Sequence, residues 1–241
     1  VTSMAFADFD NDGDRDLVVG TKTGVASGEL MFFDFVSKIE GARFLWQRIH
    51  YVSPAGQHRA PFEHWTDAAT DLQAAVDVAY PGDTVVVADG TYSSAAQIVV
   101  TQAITIVSVN GAGSTILDGG GTHRVMVIET NAVLDGFTIT NGFVAAHGGG
   151  IYAAGGARIQ NCLITGNSTD SGPYYGGGLF LTDTGVVQDC VIRGNWASDQ
   201  GGGLWIGYNS TLRNSLICRN TGLNGGGMFC YLNVLVENCT V

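Results

Sequence analysis

Apolar and polar residues alternate in short runs along the C-terminal part of the chain, and glycine or asparagine ends each run. The clearest run follows a glycine triplet and consists of one apolar residue and then one aromatic residue. This arrangement occurs four times, beginning at Gly148, Gly176, Gly201 and Gly225. Alternation over a few residues predicts strands with one buried face. The triplets recur every 24 to 28 residues, an interval that accommodates strands and turns but no long helix. The pattern therefore predicts the coils of a parallel β-solenoid.

A helical pattern precedes the repeats. Apolar residues recur at helical spacing over residues 69–79, Thr66 or Asp67 is in position to cap the helix, and Pro81-Gly82 ends it. Two β-branched runs follow as strands. We expect this short helix to cover the hydrophobic interior at the start of the solenoid.

Composition and charge limit the possible partners. The 241 residues are 45% hydrophobic and only 14% charged, with 35 glycines and a net charge of −11. No cluster of lysine or arginine could neutralise phosphates, which argues against nucleic acid and against an anionic membrane surface. No apolar stretch is long enough to span a bilayer. Because the chain begins and ends inside recognisable motifs, we interpret it as part of a longer protein.

An acidic segment lies close to the N-terminus. Such a density of carboxylates repels itself unless a cation is bound, and a hard Ca²⁺ ion prefers six to eight oxygen ligands on a flexible loop. Gly13 permits the turn that folds these oxygens inward. The alternative is a solvated acidic turn. The segment reads DFDNDGDRDLVVG, with its carboxylates at Asp8, Asp10, Asp12, Asp14 and Asp16.

This segment resembles the FG-GAP (VCBS-type) repeat of β-propellers, whose DxDxDGxxDL motif it matches as far as Leu17. The resemblance implies a structural calcium ion bound in a β-hairpin, and a partial blade over residues 1–35 with a linker or blade closure over residues 36–50. By analogy with that family, the ligands are the side chains of Asp8, Asp10, Asp12 and Asp16 and the main chain of Asp14.

The rest of the chain has a second resemblance. The segments YVSPAG, PGDTVVVADGTY and VLDGFTITNG, followed by the GGG repeats, are similar to secreted bacterial right-handed parallel β-helix proteins of the pectin lyase superfamily. The repeats also resemble those of polymorphic outer membrane proteins, although Leu163, Val191 and Leu216 replace the phenylalanine of that family's FxxN motif. The resemblance implies an all-β, right-handed parallel β-helix with an N-terminal capping helix over residues 51–241, in a secreted or cell-surface protein.

One column of aromatic residues is a candidate binding site. Strand alternation sends the residue after each glycine triplet inward and the next residue outward. The outward rings then stack from coil to coil and could serve as platforms for sugar faces. Alternatively, they stabilise neighbouring strands beneath a loop or another domain. The four rings are Tyr152, Phe180, Trp205 and Phe229.

Two further columns have structural explanations. Cys162, Cys190 and Cys239 share one repeat position, which predicts a column of small buried side chains. Asn167, Asn195 and Asn220 form a second column, which we align with Asn141. Asparagine tolerates left-handed backbone angles and stacked amides hydrogen-bond to one another, so we expect a ladder in a turn. His147 is expected to be a turn residue as well.

No catalytic motif is evident, and the catalytic residues are unknown. A polysaccharide lyase would need an arginine such as Arg158, Arg193 or Arg213 beside clustered acids, and no such cluster is apparent. The favoured function is therefore adhesion or glycan binding, with a polysaccharide or a cell-surface glycan or protein as the partner. The alternatives are a carbohydrate-active enzyme, either a lyase or a glycoside hydrolase, and a structural stalk. An open last coil also predicts end-to-end association.

Overall fold

The computed structural model describes residues 47–241 and, for the backbone alone, strands β1 (Thr2–Ala7) and β2 (Asp16–Thr21). The chain divides into two units, Val1–Phe44 and Leu45–Val241. In the first unit β1 and β2 pair antiparallel, with Ala7 opposite Asp16. The run that follows the acidic segment is thus a strand, as predicted. The predicted calcium ligands Asp8, Asp10, Asp12 and Asp14 lie outside the described residues, as does the side chain of Asp16.

The second unit is a parallel β-helix, which confirms the predicted fold class. Its strands form three long sheets in which every pair is parallel. Sheet 1 contains β3 (Ile49–Val52), β4 (Thr84–Val87), β7 (Thr105–Ser108), β10 (Val133–Asp135), β14 (Arg158–Gln160), β18 (Val186–Gln188), β21 (Thr211–Arg213) and β24 (Leu235–Glu237).

Sheets 2 and 3 have six strands each, and a short strip completes the coil. Sheet 2 contains β5 (Gly90–Ser93), β8 (Thr115–Asp118), β11 (Thr138–Thr140), β15 (Leu163–Thr165), β19 (Val191–Arg193) and β22 (Leu216–Cys218). Sheet 3 contains β6 (Ile98–Val100), β9 (Met126–Ile128), β13 (Ile151–Ala153), β17 (Leu179–Leu181), β20 (Leu204–Gly207) and β23 (Met228–Tyr231). The strip consists of β12 (Phe143–Val144) and β16 (Ser168–Thr169).

Alternate residues of each strand fill the interior of the coil. The predicted inward residues Ile151, Leu179 and Leu204 are fully buried and are register partners along sheet 3. Burying an aliphatic side chain of this size contributes about 1.5–3 kcal/mol. Cys162 and Cys190 are buried in the same core, as the pattern of small residues predicts.

Each glycine of the repeated triplet has its own structural reason. The first, at Gly148, Gly176, Gly201 and Gly225, has a φ between 63° and 72°, which L side chains rarely adopt. A Cβ atom on the second glycine of the Gly176 triplet, Gly177, would lie 2.1 Å from the carbonyl oxygen of Trp196. A Cβ on the third, Gly178, would lie 2.8 Å from the Asn195 side chain. The triplet is therefore required by backbone conformation and by close packing against the turn of the following coil.

The asparagine column forms the predicted ladder of hydrogen-bonded amides and lies inside the coil; only the expected left-handed backbone angles of these asparagines are wrong. Asn167 and Asn195 are 1% and 2% exposed, and the side-chain oxygen of Asn195 accepts hydrogen bonds from the backbone and side-chain nitrogens of Asn167, both 3.0 Å away. The left-handed angles fall instead on the preceding residues, Gly166 and Gly194.

The alignment of Asn141 with this column was wrong by one residue. Thr140 pairs with Thr165, so Asn141, whose φ is 53°, occupies the position of Gly166. Its neighbour Gly142 donates its N–H to the side-chain oxygen of Asn167 at 2.8 Å. The amide ladder is thus completed at this coil by a backbone group.

The helix begins later than predicted. Helix α1 covers Leu72–Val78, and its N-cap is Asp71, whose carboxylate accepts the N–H of Ala74 at 2.9 Å. Thr66 and Asp67 do not cap it because the chain that follows them pairs with β3: Ala69 forms a parallel bridge to Val52. The predicted apolar face of the helix is nevertheless buried, at Leu72, Ala75, Val76 and Ala79.

The helix covers the start of the solenoid, where β6 is the first strand of sheet 3. The Gln73 side chain accepts the backbone N–H of Val99 at 2.7 Å and donates to the Val99 carbonyl at 3.2 Å. One amide side chain thus takes the place of a neighbouring strand, which removes part of an exposed sheet edge. Within the described residues, no helix is long and apolar enough to cross a membrane.

Candidate ligand-binding face

The predicted aromatic column exists on the outer side of sheet 3. Tyr152, Phe180, Trp205 and Phe229 are successive register partners. The Tyr152 and Phe180 rings stack at 5.2 Å with 8° between their planes, and Phe180 and Trp205 stack at 4.4 Å with 10°. Aromatic pairs of this kind contribute about 0.5–1.5 kcal/mol beyond their burial.

Two further rings cover the middle of this column. His147 stacks on Phe180 at 5.1 Å and on Tyr175 at 4.6 Å, and Tyr175 stacks at 6.3 Å from Trp205. As a result Phe180 and Trp205 are only 9% and 5% exposed. Of the two alternatives for this column, coverage by a loop describes its two central rings, which are closed to a ligand, whereas Tyr152 and Phe229 stay half-buried.

One of the covering rings, Tyr175, comes from a connection that is longer in its coil than in the others. Eight residues separate Asn167 from Gly176, whereas five separate Asn195 from Gly201 and four separate Asn220 from Gly225. The additional length supplies the segment 171–175 (SGPYY), which contains two tyrosines.

Hydrogen bonds hold this segment against the neighbouring turns. The Tyr175 N–H donates to Nδ1 of His147 at 3.0 Å, and the Tyr175 carbonyl accepts the Gly148 N–H at 2.9 Å. The Asp199 N–H donates to the Tyr174 carbonyl at 3.2 Å. Both tyrosines are half-buried, so each presents part of its ring to solvent from a fixed position.

The other side of Trp205 is bordered by Tyr208, which is 42% exposed and lies 6.1 Å from the tryptophan ring. The indole N–H of Trp205 donates to the Gln200 side chain at 3.3 Å. A Cβ atom on Gly207 would lie 2.7 Å from the indole, so the Trp205 ring can take this position only because residue 207 is a glycine. We call the surface formed by Tyr152, Tyr174, Tyr175 and Tyr208 around the buried stack the tyrosine face.

Arg124 lies at the Tyr152 end of this face. Its guanidinium carbon is 5.6 Å from the centre of the Tyr152 ring, a distance that allows a cation–π interaction. Its Nε and one terminal nitrogen donate to the carbonyls of Gly148 and His147 at 2.9 and 2.7 Å. The arginine therefore fixes the turn that carries His147. Burial lowers the pKa of Arg124, and the proximity of Tyr152 acts in the opposite direction.

The pKa of His147 is also lowered, first by burial and then by the positive charge of Arg124. A neutral imidazole suits its contacts, because Nδ1 must be unprotonated to accept the Tyr175 N–H. Its position before Gly148, within a bend, agrees with the predicted turn. Its role in covering the aromatic column was not predicted.

The arginines considered for catalysis lie apart from one another. Arg158 is flanked along sheet 1 by Val133 and Val186. Arg193 is flanked along sheet 2 by Thr165 and Cys218.

Arg213 donates from Nε to the Gln188 side chain at 3.0 Å, and its register partner is Glu237. In the part of the chain with described side chains, residues 47–241, no group of three or more His, Cys, Asp or Glu residues is placed to hold a metal ion.

The most informative residue missed by sequence reasoning is Arg124, which precedes Gly148 and has no counterpart in the repeats. Tyr175, with Tyr174, Trp196 and Tyr208, is an aromatic residue of the turns that the sequence predicts could enlarge the aromatic surface. Its covering position over the column was not predicted, although the unequal spacing between the asparagine column and the glycine triplets indicates it.

Comparison with known proteins gives a structural relation and no family. No protein-family model and no curated protein matches the chain. Among solved structures, the pectin methylesterase from Aspergillus niger matches with 12% sequence identity and a TM-score of 0.36, over 80% of this chain and 85% of that chain. At this level of similarity the match carries no argument about activity or ligand.

Proposed function

We propose that the protein is a secreted or cell-surface glycan-binding protein that serves adhesion, and that the tyrosine face is its binding site. The observation that carries this proposal is the position of the tyrosines. Tyr152, Tyr174, Tyr175 and Tyr208 are partly exposed at the rim of a stack whose central rings, Phe180 and Trp205, are buried.

Such an arrangement suits sugars for two reasons. Tyrosine offers an apolar ring face and a hydroxyl group, which match the apolar faces and the hydroxyl groups of a pyranose ring. The rings are also ordered before a ligand binds, because the backbones of Tyr174 and Tyr175 are hydrogen-bonded to adjacent coils. Preorganisation reduces the entropy that binding must offset.

The test is a glycan array probed with the whole chain, followed by affinity electrophoresis in gels that contain the best polysaccharide. The double variant Tyr174→Ala, Tyr208→Ala should reduce binding at least tenfold. Trp196→Ala is the matched control, because Trp196 is 41% exposed but belongs to the strip that continues from β16. Equal losses in the two variants, or no glycan bound by the wild type, would refute the proposal.

The N-terminal unit suggests a structural calcium ion as a separate proposal. The pairing of Ala7 with Asp16 brings the chain ends on either side of the acidic segment next to each other, and the side chains of Asp8, Asp10, Asp12 and Asp16 with the main chain of Asp14 would supply hard oxygen ligands. Calorimetric titration with CaCl₂ should detect one site, which Asp12→Asn weakens. The absence of binding heat, or unchanged binding in the variant, would contradict this assignment.

A further inference from the structure

A cavity of about 580 Å³ lies beside the tyrosine face. Arg124 contributes to its lining together with Gln97, Thr122, His123, Phe143 and Ala145. Because Arg124 also contacts the ring of Tyr152, it connects this cavity to the tyrosine face. Neither the repeat pattern nor the proposed glycan platform accounts for a cationic group here.

Among residues 47–241, the charge of Arg124 has no counter-ion. The residue is 9% exposed, yet none of the ion pairs within residues 47–241 involves it. Its three hydrogen-bond acceptors are neutral: the carbonyls of Gly148 and His147 and the Gln97 side chain, which lies 3.1 Å from Nη1. A buried charge is costly unless it is paired, so this site favours the binding of an anion.

The guanidinium also has donors to spare. It carries five N–H groups, of which the three hydrogen bonds use one on each nitrogen. One N–H therefore remains on each terminal nitrogen. A carboxylate accepts such charge-assisted hydrogen bonds well. Its single negative charge matches one arginine, whereas a dianion would be repelled more strongly by a chain whose net charge is −11.

We propose that the Arg124 cavity is a subsite for the carboxylate of an acidic sugar residue, whose neighbouring residue in the glycan packs on Tyr152. The proposal rests on the proposed glycan-binding function and specifies the ligand class. Arg124 then has two roles: it positions the His147 turn through two carbonyls, and it presents its remaining N–H groups to the ligand.

The first experiment compares two forms of one ligand. Isothermal titration calorimetry at constant ionic strength measures the Kd of a uronate oligosaccharide and of the same oligosaccharide after its carboxyl groups have been reduced to alcohols. The wild type should bind the acidic form at least tenfold more tightly. Equal affinities would overturn the carboxylate proposal while leaving the glycan-binding function intact. This comparison requires no variant and so does not depend on whether a variant folds.

A variant series locates the effect. Arg124→Gln should remove the preference for the acidic form, so that the variant binds the acidic and the reduced oligosaccharide with Kd values within about twofold of each other. Arg193→Gln, which removes the same charge from the outer side of sheet 2, should keep the preference. Loss of preference in both variants would show a general effect of charge and overturn the assignment to Arg124.

A last measurement separates this inference from the proposed function. If neither oligosaccharide binds, the glycan platform fails, and the subsite is then tested alone with sodium glucuronate. The Nε–H signal of Arg124, identified by its absence in Arg124→Gln, should shift saturably in ¹H–¹⁵N spectra with glucuronate and not with glucose. An unchanged signal would overturn the subsite.

Discussion

Replacing Asn195 by alanine tests how much the buried amide ladder contributes to the stability of the β-helix. The Asn195 side chain takes part in four hydrogen bonds. Its oxygen accepts from the backbone and side-chain nitrogens of Asn167, and its nitrogen donates to the Ile164 carbonyl and to the side-chain oxygen of Asn220, each at 3.0 Å. Because Asn195 is 2% exposed, water cannot replace these partners in the folded state.

The cost of the substitution follows from the groups left behind. The buried backbone N–H of Asn167 loses the acceptor that it has in the ladder, and an unsatisfied buried donor costs about 1–3 kcal/mol. The remaining three bonds contribute about 0.5–1.5 kcal/mol each, and the side chain of Asn167 retains other partners. We expect Asn195→Ala to lower the free energy of unfolding by about 3–5 kcal/mol.

Urea unfolding followed by circular dichroism measures this change. Asn224→Ala is the control: its side chain makes one exposed hydrogen bond to Asp199 at 2.9 Å, and we expect a change below about 0.5 kcal/mol. A loss below about 1 kcal/mol in Asn195→Ala, with an unchanged dependence on urea, would show that the amide ladder is not a main source of stability.

Two further predictions concern the glycine triplet and the histidine. Gly177→Ala should lower the free energy of unfolding by more than about 2 kcal/mol, because its Cβ would meet the backbone of Trp196 at 2.1 Å. The control Gly113→Ala, whose Cβ would have nothing within 4 Å, should be nearly neutral in the same unfolding experiment. Similar values for the two variants would contradict the packing argument. For His147, the folded-state pKa is lowered from 6.5, so the unfolded chain binds a proton at this residue more readily than the folded chain does. The stability that depends on neutral His147 is therefore present above pH 6.5 and decreases as the pH falls below it. Thermal unfolding between pH 5 and 8 should show this decrease in the wild type and a smaller one in His147→Phe, and identical pH profiles would refute the assignment.

Much of the architecture could be predicted because it repeats. A glycine triplet and an inward apolar residue in each of the last four coils indicate strands stacked in register, and the pairing of Ile151 with Leu179 and of Leu179 with Leu204 confirms that register. The local pattern was insufficient at the helix start, because pairing of Ala69 with Val52 overrides the helical preference of the residues before Asp71. Such a contact depends on residues far apart in sequence.

The candidate site was only partly predictable for a similar reason. The stacking of Tyr152 on Phe180 follows from alternation and coil spacing. Coverage of that stack depends on His147 and on the long connection before Gly176. Neither feature recurs in the other repeats, so the repeat pattern does not predict the coverage. Asn141 was aligned with Asn167 although Gly142 is the residue at that position. The backbone N–H of Gly142 joins the ladder as the backbone N–H of Asn167 does, without a side-chain amide that would mark the position in the sequence.

The most direct test of the tyrosine face is a map of where a glycan contacts the chain. Hydrogen–deuterium exchange measured by mass spectrometry, with and without the best ligand from the array, reports protection peptide by peptide. We predict protection in peptides that cover residues 171–182 and 203–209, with little change in β15 and β19 on sheet 2. Protection confined to sheet 2, or none at saturating ligand, would contradict the account.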